Sequence, residues 1–157
     1  MRFLDMTILR CIFFLPAAWI AQALVKLIFS IFQYFVGADF ILDLFGDNFG
    51  RFVILLLMSI QVFIGAYALT YVGIYVAPKI NKKNFFLIFI PLLPFITTVI
   101  TFTAILRVYL PNDLWVIEEY SPFITQKYFS IFLGYIPALL SIWFLKPVRE
   151  FFLKASK

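Results

Sequence analysis

The chain contains no histidine, a single cysteine and, inside its long apolar runs, no aspartate or glutamate. Without imidazole there is no His-ligated haem, no His-based zinc site and no catalytic arrangement that depends on a histidine base. Cys11 alone forms neither an internal disulfide, nor a CxxC redox pair, nor a self-contained iron–sulfur site. Carboxylate-free runs exclude an intramembrane aspartyl dyad and a carboxylate proton path. A glycine-rich phosphate loop is also missing. These absences remove the common catalytic constellations. An enzyme is not expected, and no catalytic, cofactor-binding or metal-ligating residue is assigned.

Charge is scarce as well. Only 13% of residues are charged, while 64% are hydrophobic and 21% aromatic, and the mean hydropathy is +1.03. A soluble domain carries about 25% charged residues, so lipid has to be the solvent for much of this chain. Its 157 residues read as one domain, 1–157. The net charge of +5 does not point to nucleic acid, because the basic residues flank apolar runs and the bilayer explains them.

Four runs reach spanning length: Cys11–Val36, Phe52–Ala77, Phe85–Leu110 and Tyr128–Leu145. A bilayer core about 30 Å thick needs roughly 20 apolar helical residues. Continuous rather than alternating hydrophobicity argues against a membrane barrel. The expected fold is therefore an all-α integral membrane protein with four transmembrane helices and short loops. Ala21-Gln22-Ala23 has the small-x-small form of a cleavage site, but Leu24–Val36 continues the run, so an uncleaved first helix is expected.

Charge alternates in sign between the runs. Arg2 and Arg10 against Asp5 give +1; Asp39, Asp43 and Asp47 against Arg51 give −2; Lys79, Lys82 and Lys83 give +3. Asp113, Glu118 and Glu119 against Lys127 give −2, and Lys146, Arg149, Lys154 and Lys157 against Glu150 give +3. Lys and Arg are retained on the cytoplasmic side. The expectation is a plasma-membrane protein, of the bacterial inner-membrane kind, with both termini in the cytoplasm.

Polar and small residues fall in stripes. Gln22, Lys26, Ser30 and Gln33 recur at i, i+4, i+8 and i+11, one face of the first helix. Lys26 either snorkels to the headgroups or pairs with a carboxylate from an outer loop or a partner subunit. On the second helix Ala66, Thr70, Gly73 and Ala77 form a seam of small residues suited to close helix packing. Tyr67, Tyr71 and Tyr75 form another stripe; the first two lie deep enough to need hydrogen-bond partners.

Prolines and short amphipathic segments complete the pattern. Pro91 and Pro94 predict a kink in the third helix, with Thr97, Thr98, Thr101 and Thr103 placed to bond strained carbonyls. Pro137, one turn after Gly134, predicts a kink in the fourth. The first loop carries Asp39, Asp43 and Asp47 at four-residue intervals, which predicts an outer interfacial helix with Phe40, Leu44 and Phe45 toward lipid. That spacing does not match a calcium loop. After Pro147, an amphipathic C-terminal helix is expected, with Val148, Phe151, Phe152 and Ala155 on its lipid-facing side.

Two functional classes fit. The first is a non-catalytic accessory or structural subunit of a larger membrane complex, its small and polar stripes contacting other subunits. The alternative is a small homo-oligomeric transporter or channel for a solute or ion. The partners expected are the lipid bilayer and other membrane-protein subunits, with no nucleic acid.

Overall fold

The computed structural model describes residues 2–78, 83–109 and 114–155, with side chains over 7–78, 85–101, 103 and 129–154. All its described elements are helices: α1 (Arg2–Val36), α2 (Ala38–Phe45), α3 (Asp47–Val76), α4 (Lys83–Tyr109), α5 (Leu114–Phe144) and α6 (Lys146–Ala155). Two of them, over Thr7–Val36 and Asp47–Val76, are long and apolar enough to cross a membrane. Phe85–Thr101 is a shorter apolar helix, and Phe129–Phe144 continues through an 82° bend into Lys146–Lys154. The all-helical class is as expected, and the apolar helices suit membrane insertion.

Glycine and proline set the breaks. Gly37 and Gly46 have φ of 70° and 75°, in the left-handed region that a Cβ disfavours, and they isolate α2 between α1 and α3. Ala77 precedes Pro78, which disfavours helical geometry before it; α3 ends there, with the Ala77 N–H donating to the Gly73 carbonyl at 2.9 Å. Pro91 and Pro94 lie inside α4 without ending it, and α5 passes through Pro137 as one helix. A sharp turn of 82° falls at Leu145, before Pro147.

Helix packing follows a simple order. Ala18 and Gln22 of α1 lie against Gly73 and Gly65 of α3, so those two helices are antiparallel. Gly134 meets Ser59, and Tyr67 meets Ser141, so α3 and α5 are parallel. Ile90 of α4 covers Gly73 while Phe95 packs beside Val62 and Ala66, so α4 is antiparallel to α3. Helix α3 is the hub on which α1, α4, α5 and α6 all rest. One apolar cluster joins Ala18, Leu69, Ile74, Leu87, Ile90, Ile142 and Phe152, which brings the N-terminal half of α1 and the tail helix to the same end of the bundle.

Three sequence expectations are adjusted. The segment read as a third loop is helical from Leu114 onward, as the first part of α5; side chains there, including Glu118 and Glu119, lie outside the described ones, as do Lys79, Lys82 and Arg107. The three aspartates of the first loop are not one stripe, because Gly46 places Asp47 in α3. Phe40, Leu44 and Phe45 are exposed, while Ile41 turns inward. The third adjustment concerns α6. Its apolar face packs partly on its own bundle: Phe152 is fully buried and Val148 joins the same cluster. Phe151 remains exposed but stacks on Tyr71 at 5.6 Å; Ala155 lies outside the described side chains.

Candidate functional site

The polar stripe of α1 lines a cavity within the bundle. Gln22, Lys26, Ser30 and Gln33 all contribute to a space of about 500 Å³ whose other polar lining comes from three more helices. Gln61 enters from α3, Thr97 and Thr98 from α4, and Ser130 and Tyr135 from α5. No described residue on this lining is an aspartate or glutamate. Lys26 is exposed.

Hydrogen bonds tie the walls together. The Gln22 amide donates to the Tyr135 hydroxyl at 2.6 Å, joining α1 to α5 across the cavity. The Gln33 amide donates to Gln61 Oε1 at 3.3 Å, and the Gln61 amide donates to the Lys26 carbonyl at 3.4 Å, so α1 is held to α3 twice. Hydrogen bonds between membrane helices average about 0.6 kcal/mol and reach about 1.7 kcal/mol. The three together help hold the walls in register; α1 and α3 also pack extensively.

Donor and acceptor counts define what the cavity presents. Thr97 and Thr98 both donate to the Pro94 carbonyl, at 2.9 and 2.8 Å. Pro94 has no N–H, so the carbonyl of Ile90 loses its usual partner; the threonines bond Pro94's own carbonyl instead. Their hydroxyl protons are thereby used, leaving acceptor lone pairs. Tyr135 accepts from Gln22 and so retains its own proton for donation. Lys26 brings three further donors and a positive charge. The result is a neutral-to-positive chamber, rich in hydroxyls and amides.

The other singled-out residues serve packing. Ala66 and Thr70 are fully buried, and the Thr70 hydroxyl bonds back to the Ala66 carbonyl at 2.7 Å. A Cβ on Gly73 would lie 2.8 Å from Ile90 Cγ2 and 3.2 Å from Ala18 Cβ, so the seam passes beneath α4 and α1; Ala77 is buried at its end. Tyr67 shares a 2.6 Å hydrogen bond with Ser141 and meets the Phe152 ring edge-on at 5.3 Å. Tyr71 stacks on Phe151, and Tyr75 is exposed.

Sequence reasoning missed several of the residues opposite the α1 stripe. Gln61 was as legible as Gln22, being an amide inside the Phe52–Ala77 run. Ser130 and Tyr135 give no such signal, since serine and tyrosine are ordinary in membrane helices. Gly134, read as part of a kink, also serves packing: a Cβ there would lie 2.5 Å from the Ser59 carbonyl oxygen, so its bare backbone lets α5 touch α3.

No protein-family model matches the sequence, and comparison with curated proteins and with solved structures finds no match.

Proposed function

We propose that this is a non-catalytic membrane protein that crosses the bilayer four times and holds a small polar solute inside its own bundle, as a small transporter or channel. The observation that carries the reading is the cavity of about 500 Å³, into which four helices bring amides, hydroxyls and one lysine. That volume falls in the range of about 300–1,000 Å³ usual for ligand pockets. Polar side chains at membrane depth face protein or a wet cavity, and here four helices of one chain supply the polar lining of a half-open cleft. Alternating loop charge puts both termini in the cytoplasm, in agreement with α1 and α6 meeting at one end of the bundle.

Cysteine accessibility tests this. In a Cys11→Ser background, Thr98→Cys and Gln61→Cys should react with a small water-soluble thiol reagent in reconstituted protein. Reaction only with lipid-soluble reagents would mean a dry interior and would refute the reading. The accessory-subunit reading stays second, favoured by the exposure of Lys26 and by the absence of a carboxylate among the described residues lining its cavity. A partner helix bearing an acid could occupy the same cleft. Mass measurement in mild detergent separates the two: a stoichiometric unlike subunit supports the second reading, and the chain purifying without one supports the first.

A further inference from the structure

Two cavities in this bundle share a wall. Gln33 and Met58, which line the polar chamber, also line a second space of about 200 Å³ between α1, α2 and α3. Apart from Gln33 its lining is apolar, formed mainly by Phe32, Val36, Ile41, Ile54 and Leu57. Helix α2 closes it through Ile41, the inward residue of that short helix. Such a lining is complementary to an alkyl segment, which packs against apolar side chains by dispersion.

We propose that the two cavities together bind one amphiphilic acid, with its anionic head at Lys26 and its single alkyl chain in the apolar space. This rests on the solute-binding reading above and names the ligand class. The head is assigned from charge and donor count. Lys26 supplies the only formal charge on the described lining, and Tyr135 keeps a proton to donate once its oxygen accepts from Gln22. A carboxylate or phosphate uses both, and charge-assisted hydrogen bonds are the stronger kind. Thr97 and Thr98, whose protons go to Pro94, supply acceptors for a hydroxyl or amide beside the acid group. The tail is assigned from adjacency and size, Gln33 and Met58 lining both spaces. Lys26 and Val36 are ten residues apart on α1, roughly 15 Å of helix, which suits a medium-length alkyl chain. A space of about 200 Å³ suits one such chain better than two, so a free single-chain acid fits better than a two-chain phospholipid.

The experiment measures saturable binding of radiolabelled decanoate and butyrate to the full chain in nanodiscs of neutral phosphatidylcholine, with empty nanodiscs correcting for partition. Decanoate should bind. Lys26→Met should weaken both acids about tenfold or more, as loss of a charge-assisted hydrogen bond implies. Ile54→Phe, which fills the apolar space, should weaken decanoate while leaving butyrate unchanged. Leu57→Phe repeats the test from another position on the same lining if Ile54→Phe fails to fold. Unaltered decanoate binding in Lys26→Met overturns the proposal, as does displacement of decanoate by phosphatidic acid. Lysine-dependent binding of both acids that ignores the two phenylalanine variants overturns the amphiphile and leaves the solute-binding reading standing. No saturable binding of either acid, together with an unreactive Thr98→Cys, overturns both.

Discussion

Replacing Gly134 with alanine tests the contact that sets the spacing of α3 and α5. In an ordinary helix this change stabilises by roughly 1 kcal/mol, because glycine is the poorer helix former. Here the new Cβ would lie 2.5 Å from the Ser59 carbonyl oxygen, 2.6 Å from Val62 Cβ and 2.8 Å from Val62 Cγ1. The first of these atoms is backbone and the second is fixed to it, so no rotamer change relieves the clash. Helix α5 has to move off α3 by close to an ångström, loosening the cluster of Val62, Ala66, Tyr135 and Ala138. Overpacking costs typically 1–3 kcal/mol, and a rigid neighbour puts this case in the upper half, for a net loss of about 1–2 kcal/mol. Gly65 is the matched control. Its Cβ would meet Gln22 Cγ at 3.4 Å, an ordinary contact, so Gly65→Ala should gain up to about 1 kcal/mol. Thermal unfolding of the two variants and the parent in one detergent gives the order. If Gly134→Ala unfolds at or above the temperature of Gly65→Ala, the close approach of α5 to α3 is wrong.

Phe152→Ala should release the tail helix, since truncating a fully buried phenylalanine costs about 3–5 kcal/mol; the readout is faster tryptic cleavage within Lys146–Lys154 while α3 stays intact. Tyr67→Phe removes the hydrogen bond to Ser141 and should lower stability by about 0.6–1.7 kcal/mol, measured by thermal unfolding beside a Ser141→Ala variant that should be no worse in combination. For topology, cysteines placed in Lys79–Asn84 should be protected from impermeant thiol reagents in intact cells and those near Glu118 should be labelled; labelling of the lysine-rich segment from outside would reverse the orientation.

What could be read in advance was whatever belongs to a single helix. The register of Gln22, Lys26, Ser30 and Gln33 follows from helical periodicity alone, so their shared face was legible. What lies opposite that face depends on how helices pair, and one sequence carries little of that information. Gln61 could have been singled out; Ser130 and Tyr135 could not. The start of α5 was missed for another reason. Its first half carries Glu118 and Glu119, and charge was taken as the mark of a loop, although Asn112-Asp113 directly before Leu114 is a helix-start signal. Charge density locates the water boundary and says little about where a helix begins.

The tail shows how an amphipathic pattern leaves its partner open. Val148, Phe151 and Phe152 make the same apolar face whether the opposing surface is lipid or protein, because the periodicity describes the helix and not what it meets. The partner is settled by α3. Tyr67 and Tyr71 lie one turn apart, and each offers a flat ring to α6: Tyr67 against Phe152 and Tyr71 against Phe151. Aromatic pairs of this geometry contribute about 0.5–1.5 kcal/mol beyond burial, an attraction lipid chains do not supply. The 82° turn at Leu145 then matters. If α5 stands across a bilayer, α6 lies nearly along its plane, with Phe152 held by the bundle and Lys146 and Lys154 exposed toward the headgroups. In that placement anionic headgroups would meet the basic face of this ten-residue helix while the bundle holds its apolar one.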